Sequence, residues 1–255
     1  MSDIAQDSGG PRQRFVALGA LALLGAVSLL PPTRFFLEHV LLATAAGVLA
    51  AWALGRAGVA AGVALISFGL CAGPLVRAPW PLVMPLALLL LAVCARLRPE
   101  LGAVWFARGS IPPAATIVCG AVTPIALLSW LALARPDLAD LLALVPKVRP
   151  WLLIVGGVGF AAWNATLEEW IWRGVIQTRL TTMMSEPLAI LVQAISFGVA
   201  HAHGFPRGLS GMLLAGIWAL MLGALRTRCS GLLAPIVAHF VADATIAAVL
   251  LRHGL

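Results

Sequence analysis

Apolar runs long enough to cross a bilayer recur along this chain from one end to the other, parted only by short breaks. A hydrocarbon core about 30 Å thick takes about 20 apolar helical residues to span, and a chain that keeps presenting such runs has few other folds open to it. The breaks carry the punctuation of helix ends: "PPTR", "GRAG", "RAPWP", "RLRPE", "SIPP", "RPDL" and "KVRPW". They divide the chain into helical segments at 15–30, 40–54, 58–75, 80–95, 114–134, 151–176, 187–204, 208–226 and 231–251. Segment 40–54 is short and can be tilted or merged with its neighbour, so the pattern predicts eight or nine spans. Only 11% of the residues are charged, against about 25% in soluble domains. The expected fold is therefore an all-α integral membrane protein with eight or nine transmembrane helices, forming one integral domain. No internal repeat or low-complexity tract interrupts it.

The net charge is +7, but no basic cluster lies on a soluble face, so nucleic acid is not an expected partner. In short loops between spans, excess arginine sets topology and meets anionic lipid headgroups. With the N-terminus in the cytoplasm, ten basic residues fall on that side and seven on the other, which favours that orientation. The basic residues are 16 Arg and one Lys, Lys147; that skew, with the wealth of Ala, Leu and Gly, suggests a GC-rich, bacterial genome and hence an inner-membrane location. The opening "MSDIAQDSGGPRQR" is polar, and the "FVALGALALLGAVSLLPP" after it has some look of a signal peptide. The next span follows almost at once and no small-x-small cleavage site precedes a soluble domain, so this reads as the first retained span. Cys71, Cys94, Cys119 and Cys229 lie in or beside apolar spans with no CxxC, and read as small buried hydrophobes.

Polar groups at membrane depth are expensive and therefore informative. The first half of the chain has almost none inside its spans, whereas the second half holds Asn164, Glu168, Glu169, Arg173, Gln193, His201, His203, His239 and Asp243. Residues 1–149 thus look like scaffold helices and residues 150–255 like the part that holds a site. At about 100° per helical residue, Glu169 and Arg173 share a face and can pair, while Glu168 points about 100° away, left for chemistry as a base or proton carrier. Phe197 and His201 are also four apart, so the ring can pack beneath the imidazole. His203 faces elsewhere and reads as a loop residue. His239 and Asp243 repeat the spacing in the last span, where a carboxylate beside an imidazole fixes its tautomer. A glutamate and a histidine could polarise a water for attack while a second histidine donates to the oxyanion. Hydrolysis requires Glu168, His201 and His239 to converge on one wet pocket.

At these residues the sequence resembles the CPBP family of intramembrane proteases, which includes the type II CAAX prenyl endopeptidases and the bacterial Abi, or bacteriocin-processing and immunity, proteins. The family signature, EExxxR then FxxxH then Hxxx(N/D) on successive helices, corresponds to Glu168–Glu169…Arg173, Phe197…His201 and His239…Asp243. The resemblance covers roughly residues 150–250. It implies a CPBP-like catalytic helix bundle, with Glu168 and His201 activating the attacking water. It implies that Glu169, Arg173 and Phe197 support the site or bind substrate, and that His239 and Asp243 form the oxyanion side. Prenyl endopeptidases of the family are usually discussed with Asn at the last position. An ionised Asp cannot donate a hydrogen bond, so Asp243 must be protonated or act through His239. Two histidines with carboxylates could bind zinc. The HExxH pattern is absent, and the resemblance favours a metal-free glutamate mechanism without cofactor.

Two other readings compete. "GLSG" at 208–211 resembles the GxSG of rhomboid proteases, with Ser210 as nucleophile and His239 as base. His239 lies in the very next span, however, and that scheme leaves Glu168, Glu169 and Arg173 unexplained. Alternatively the buried carboxylates serve a non-catalytic immunity or scaffold protein, or a proton-coupled transporter. The expected partners are the bilayer and a membrane-anchored peptide or protein substrate; nothing in the sequence sets an oligomeric state.

Overall fold

A computed structural model describes residues 11–29, 107–143 and 145–254, and among these every regular element is helical. In chain order they are α1 (Pro11–Leu29), α2 (Pro113–Ala134), α3 (Ala139–Leu142) and α4 (Pro150–Glu169). A π-helical stretch (Trp170–Gln177) and α5 (Thr178–Thr181) follow, then α6 (Glu186–Ala200), a 3₁₀ turn (His201–His203), α7 (Gly208–Cys229) and α8 (Leu233–Gly254). Among the described residues, four helices are long and apolar enough to cross a membrane: Pro113–Ala134, Pro150–Thr181, Gly208–Cys229 and Leu233–His253. The expected segments at 40–54, 58–75 and 80–95, with Cys71 and Cys94, lie outside the described residues.

Local chemistry sets the helix ends. Proline at the first turn of α2 lacks only an N–H that would be unpaired there, and Thr116 Oγ1 donates to Pro112 O at 2.9 Å. At the other end Arg135 turns left-handed, φ 43°, and its N–H closes onto Leu131 O. Helix α6 opens with Glu186 and a proline in its first turn, the acid facing the positive end of the helix dipole. It is shorter than the segment 187–204 expected from hydropathy. Its 15 residues reach about 22 Å, short of the hydrocarbon thickness, because the chain tightens into the 3₁₀ turn at His201.

The chain divides into two compact units, Met1–Ala107 with Trp170–Ala224, and Arg108–Glu169 with Leu225–Leu255. In the second unit α8 packs on α4, α2 and α3. Along α4 the small residues Gly157, Ala161 and Ala165 recur at four-residue steps, and along α8 Ala234, Ala238 and Ala242 do the same, with all five alanines buried. Such seams let membrane helices approach backbone to backbone; a Cβ on Gly157 would lie 3.3 Å from the Ala247 Cβ. The turn between α7 and α8 is crossed by the segment before α2. There Ser110 N–H donates to Cys229 O at 2.9 Å and Leu233 N–H to Arg108 O at 3.1 Å. Gly109 makes that crossing with φ +67°, and any Cβ on it would collide with Cys229 O and Gly231.

In the first unit α6 packs on α1, α5 and the π-helical stretch. Its Gly198 meets α7 closely: a Cβ there would sit 2.6 Å from Met212 O and 3.0 Å from Gly216 Cα.

Candidate functional site

In the second unit, four acidic or basic side chains and one amide gather on the facing sides of α4 and α8. Asn164 and Glu168 lie one turn apart on α4, and Asp243 and His239 one turn apart on α8. Asn164 meets Asp243 while Glu168 and Glu169 meet His239, as antiparallel helices require. His239 is 2% exposed, and its Nδ1 lies 2.6 Å from Oε1 of the fully buried Glu169. A carboxylate accepts, so Nδ1–H donates, which places this bond among the short, charge-assisted ones. The other nitrogen, Nε2, stands 3.6 Å from Glu168 Oε2 and 3.8 Å from Asp243 Oδ1, both beyond direct hydrogen-bond range. Glu168 keeps 14% of its side chain exposed, where Glu169 keeps 0%. The two neighbouring glutamates are therefore inequivalent: one is sealed against an imidazole and the other keeps part of its side chain uncovered.

The expected orientation of His239 by Asp243 needs correcting. Glu169 holds the ring, and the Asp243 Oδ2 instead accepts from Asn164 Nδ2 at 3.0 Å. The i,i+4 spacing does put Asp243 beside His239, but a shorter acceptor from α4 takes the Nδ1 proton. Asn164 was recognisable as a polar residue at membrane depth, yet its role was not, because its partner is 79 positions away.

In the first unit, Phe197 and His201 are brought together as their spacing predicts, with ring centroids 4.2 Å apart and planes inclined by 34°. His201 Nδ1 lies 2.8 Å from Phe197 O. A carbonyl only accepts, so Nδ1 carries the proton and Nε2 is the lone-pair nitrogen of the neutral ring. Phe197 is itself locked: Trp172 packs edge-on at 5.0 Å, and the Arg173 guanidinium carbon lies 4.5 Å from the ring centroid, a cation–π contact. Arg173 is fully buried, with Nη2 at 3.5 Å from Ala219 O. Gln177 and Gln193 each donate to α7 carbonyls, Gly223 O and Ala219 O, at 3.0 Å. Gly223 makes room for them, since a Cβ there would be 2.7 Å from Gln193 Nε2.

Arg173 sits inside the π-helical stretch, which the 100° spacing rule did not anticipate; such windings are rare and recur at functional sites. His203 is exposed, with Nε2 at 3.4 Å from Leu29 O, in keeping with a turn residue. Ser210 is exposed and donates to Arg207 O at 3.2 Å. Among the described residues, no group of three or more His, Cys, Asp or Glu is arranged to hold a metal ion.

Residues 150–245 match the family model described as type II CAAX prenyl endopeptidase Rce1-like. No curated protein and no solved structure matches the chain. The matched stretch contains all three motifs, from Glu168 to Asp243. Over residues 150–245 the chain is therefore similar to the Rce1-like family, which its EExxxR, FxxxH and HxxxD motifs also resemble.

Proposed function

We propose that this protein is an intramembrane endopeptidase that hydrolyses a peptide bond of a membrane-anchored protein or peptide, using a glutamate-activated water and no metal. The observation that carries the reading is the grip on His239. One buried glutamate fixes its Nδ1 at 2.6 Å, and a second, partly exposed glutamate faces its Nε2, inside the Rce1-like stretch.

In the proposed reaction Glu168 takes a proton from water as the oxygen attacks the scissile carbonyl carbon. His201 joins it through its motif, with the Nε2 lone pair as acceptor. The carbonyl π electrons move to oxygen, and His239 Nε2–H donates to that oxyanion. Donation from Nε2 while Nδ1–H is held by Glu169 requires the imidazolium. The C–N bond then breaks, and the proton on Glu168 passes to the leaving amine. Arg173 and Phe197 hold His201 in place or bind the substrate end. Residues 150–255 form the catalytic core, and residues 1–149 complete a scaffold of eight or nine spans in a bacterial inner membrane, with the cavity open to the cytoplasm.

The test is purified protein in a bilayer mimic against a library of membrane-anchored peptides, wild type beside Glu168→Ala, with and without chelator. Wild type should cut, and Glu168→Ala should lose roughly 10²- to 10⁴-fold in rate. The activity should resist chelation. Chelator-sensitive cleavage restored by zinc would overturn the metal-free mechanism, and proton flux without cleavage would point to the transporter reading.

A further inference from the structure

Asn164 is 6% exposed and sits one turn before Glu168 on α4. Its Nδ2 donates to Asp243 Oδ2 at 3.0 Å, while its own Oδ1 is buried and, among the described residues, accepts no hydrogen bond. A buried amide oxygen left unmet costs about 1–3 kcal/mol. An amide is thus a poor choice here if its task were only to stabilise the α4–α8 pair. What it achieves is a tether. With Oδ2 drawn toward α4, the remaining oxygen of Asp243 stands 3.8 Å from His239 Nε2, outside hydrogen-bond range. His239 and Asp243 are i,i+4 on α8, a spacing at which side chains readily meet. Untethered, the carboxylate could rotate onto Nε2.

We infer that Asn164 is a positioning residue that holds the Asp243 carboxylate off His239 Nε2, so that this nitrogen faces the substrate oxyanion rather than a carboxylate on its own helix. The inference rests on the endopeptidase reading, which supplies the oxyanion. The tether itself exists or fails independently of any reaction. It also gives Asp243 a use that requires no donated hydrogen: its ionised form is the better acceptor for the Asn164 N–H.

The experiment compares Asn164→Leu, which roughly keeps the side-chain volume, in the wild-type and Asp243→Asn backgrounds. Two readouts are taken in nanodiscs. One is kcat and KM on a cleaved peptide. The other is the ¹⁵N resonance of His239 Nε2, assigned through His239→Gln. In the wild-type background Asn164→Leu should lower kcat roughly 10- to 100-fold, the range for partners that orient a site residue, with KM nearly unchanged. It should also move the Nε2 resonance as Asp243 closes on it. In the Asp243→Asn background the same change should leave kcat within about threefold and the resonance in place, because no released carboxylate remains. Equal losses in the two backgrounds, or an Nε2 signal indifferent to Asn164→Leu in otherwise wild-type protein, overturns the inference. Should Asn164→Leu fail to assemble, Asn164→Ala is read the same way. A wild type that cuts no peptide sinks the endopeptidase reading and the oxyanion role with it. The resonance then decides alone whether the tether is real.

Discussion

His239 is surrounded by three carboxylates, and Glu169 makes the short bond to it, at 2.6 Å, where Glu168 and Asp243 stand at 3.6 and 3.8 Å. Removing that partner leaves a buried imidazole without its acceptor. Glu169→Ala is expected to destabilise the protein by about 3–5 kcal/mol, the range for breaking a buried pair from one side, as read by denaturant titration in detergent. Glu168→Gln should leave stability nearly unchanged while removing cleavage, since Glu168 is partly exposed and makes no short bond to His239. On the first unit's side, Phe197→Leu keeps an apolar volume but loses the ring against His201 and Arg173. A single aromatic contact is worth about 0.5–1.5 kcal/mol, so kcat should fall by roughly 2- to 10-fold, measured beside an unaltered KM. Much of this was readable in the sequence wherever partners sit four residues apart, as with Phe197 and His201. The bond from Glu169 to His239 and the one from Asn164 to Asp243 were not. Each joins positions 70 or more apart, and no periodicity reports which residue of one helix faces which of another.

At the level of elements, helix ends follow from proline and glycine, and among the described residues the structure places them within a few residues of the breaks that the sequence predicts there. Two features escaped. Nothing in "WIWRGVIQ" announces π winding, and hydropathy continued α6 through His203 because the 3₁₀ turn is no more polar than the helix before it. The glycines of α6 and α7 are legible only once the helices are seen to touch. Gly198→Ala would place a Cβ 2.6 Å from Met212 O, a backbone atom that moves only if α6 and α7 separate. Overpacking of this kind costs about 1–3 kcal/mol, and a matching drop in thermal midpoint, with Gly156→Ala as the open-space control, checks it.

For the whole molecule, the decisive property was the scarcity of charge, which restricted the chain to membrane helices before any motif was considered. The three linked motifs then placed a family resemblance at roughly 150–250, and the Rce1-like match falls at 150–245. Cys119 and Cys229 are both buried, as their apolar settings led one to expect. With Cys71 and Cys94 replaced by serine, the folded protein should resist an aqueous maleimide and take up two labels after denaturation, counted by intact mass. Rapid labelling of either thiol in the folded state would contradict the packing of its unit. The seam between α4 and α8 carries one more implication. Asparagine and aspartate are short arms, and their 3.0 Å clasp sits on a seam where Gly157, Ala161 and Ala165 on one rod and Ala234, Ala238 and Ala242 on the other leave room for two helices to lie close. The spacing of these polar groups is thereby set by the least reactive side chains in the protein. A valine at Ala161 or Ala238 should part the Asn164–Asp243 clasp and, on the proposed endopeptidase reading, lower cleavage without altering a single acid, base or donor; a screen for inactive variants then finds those alanines alongside the glutamates.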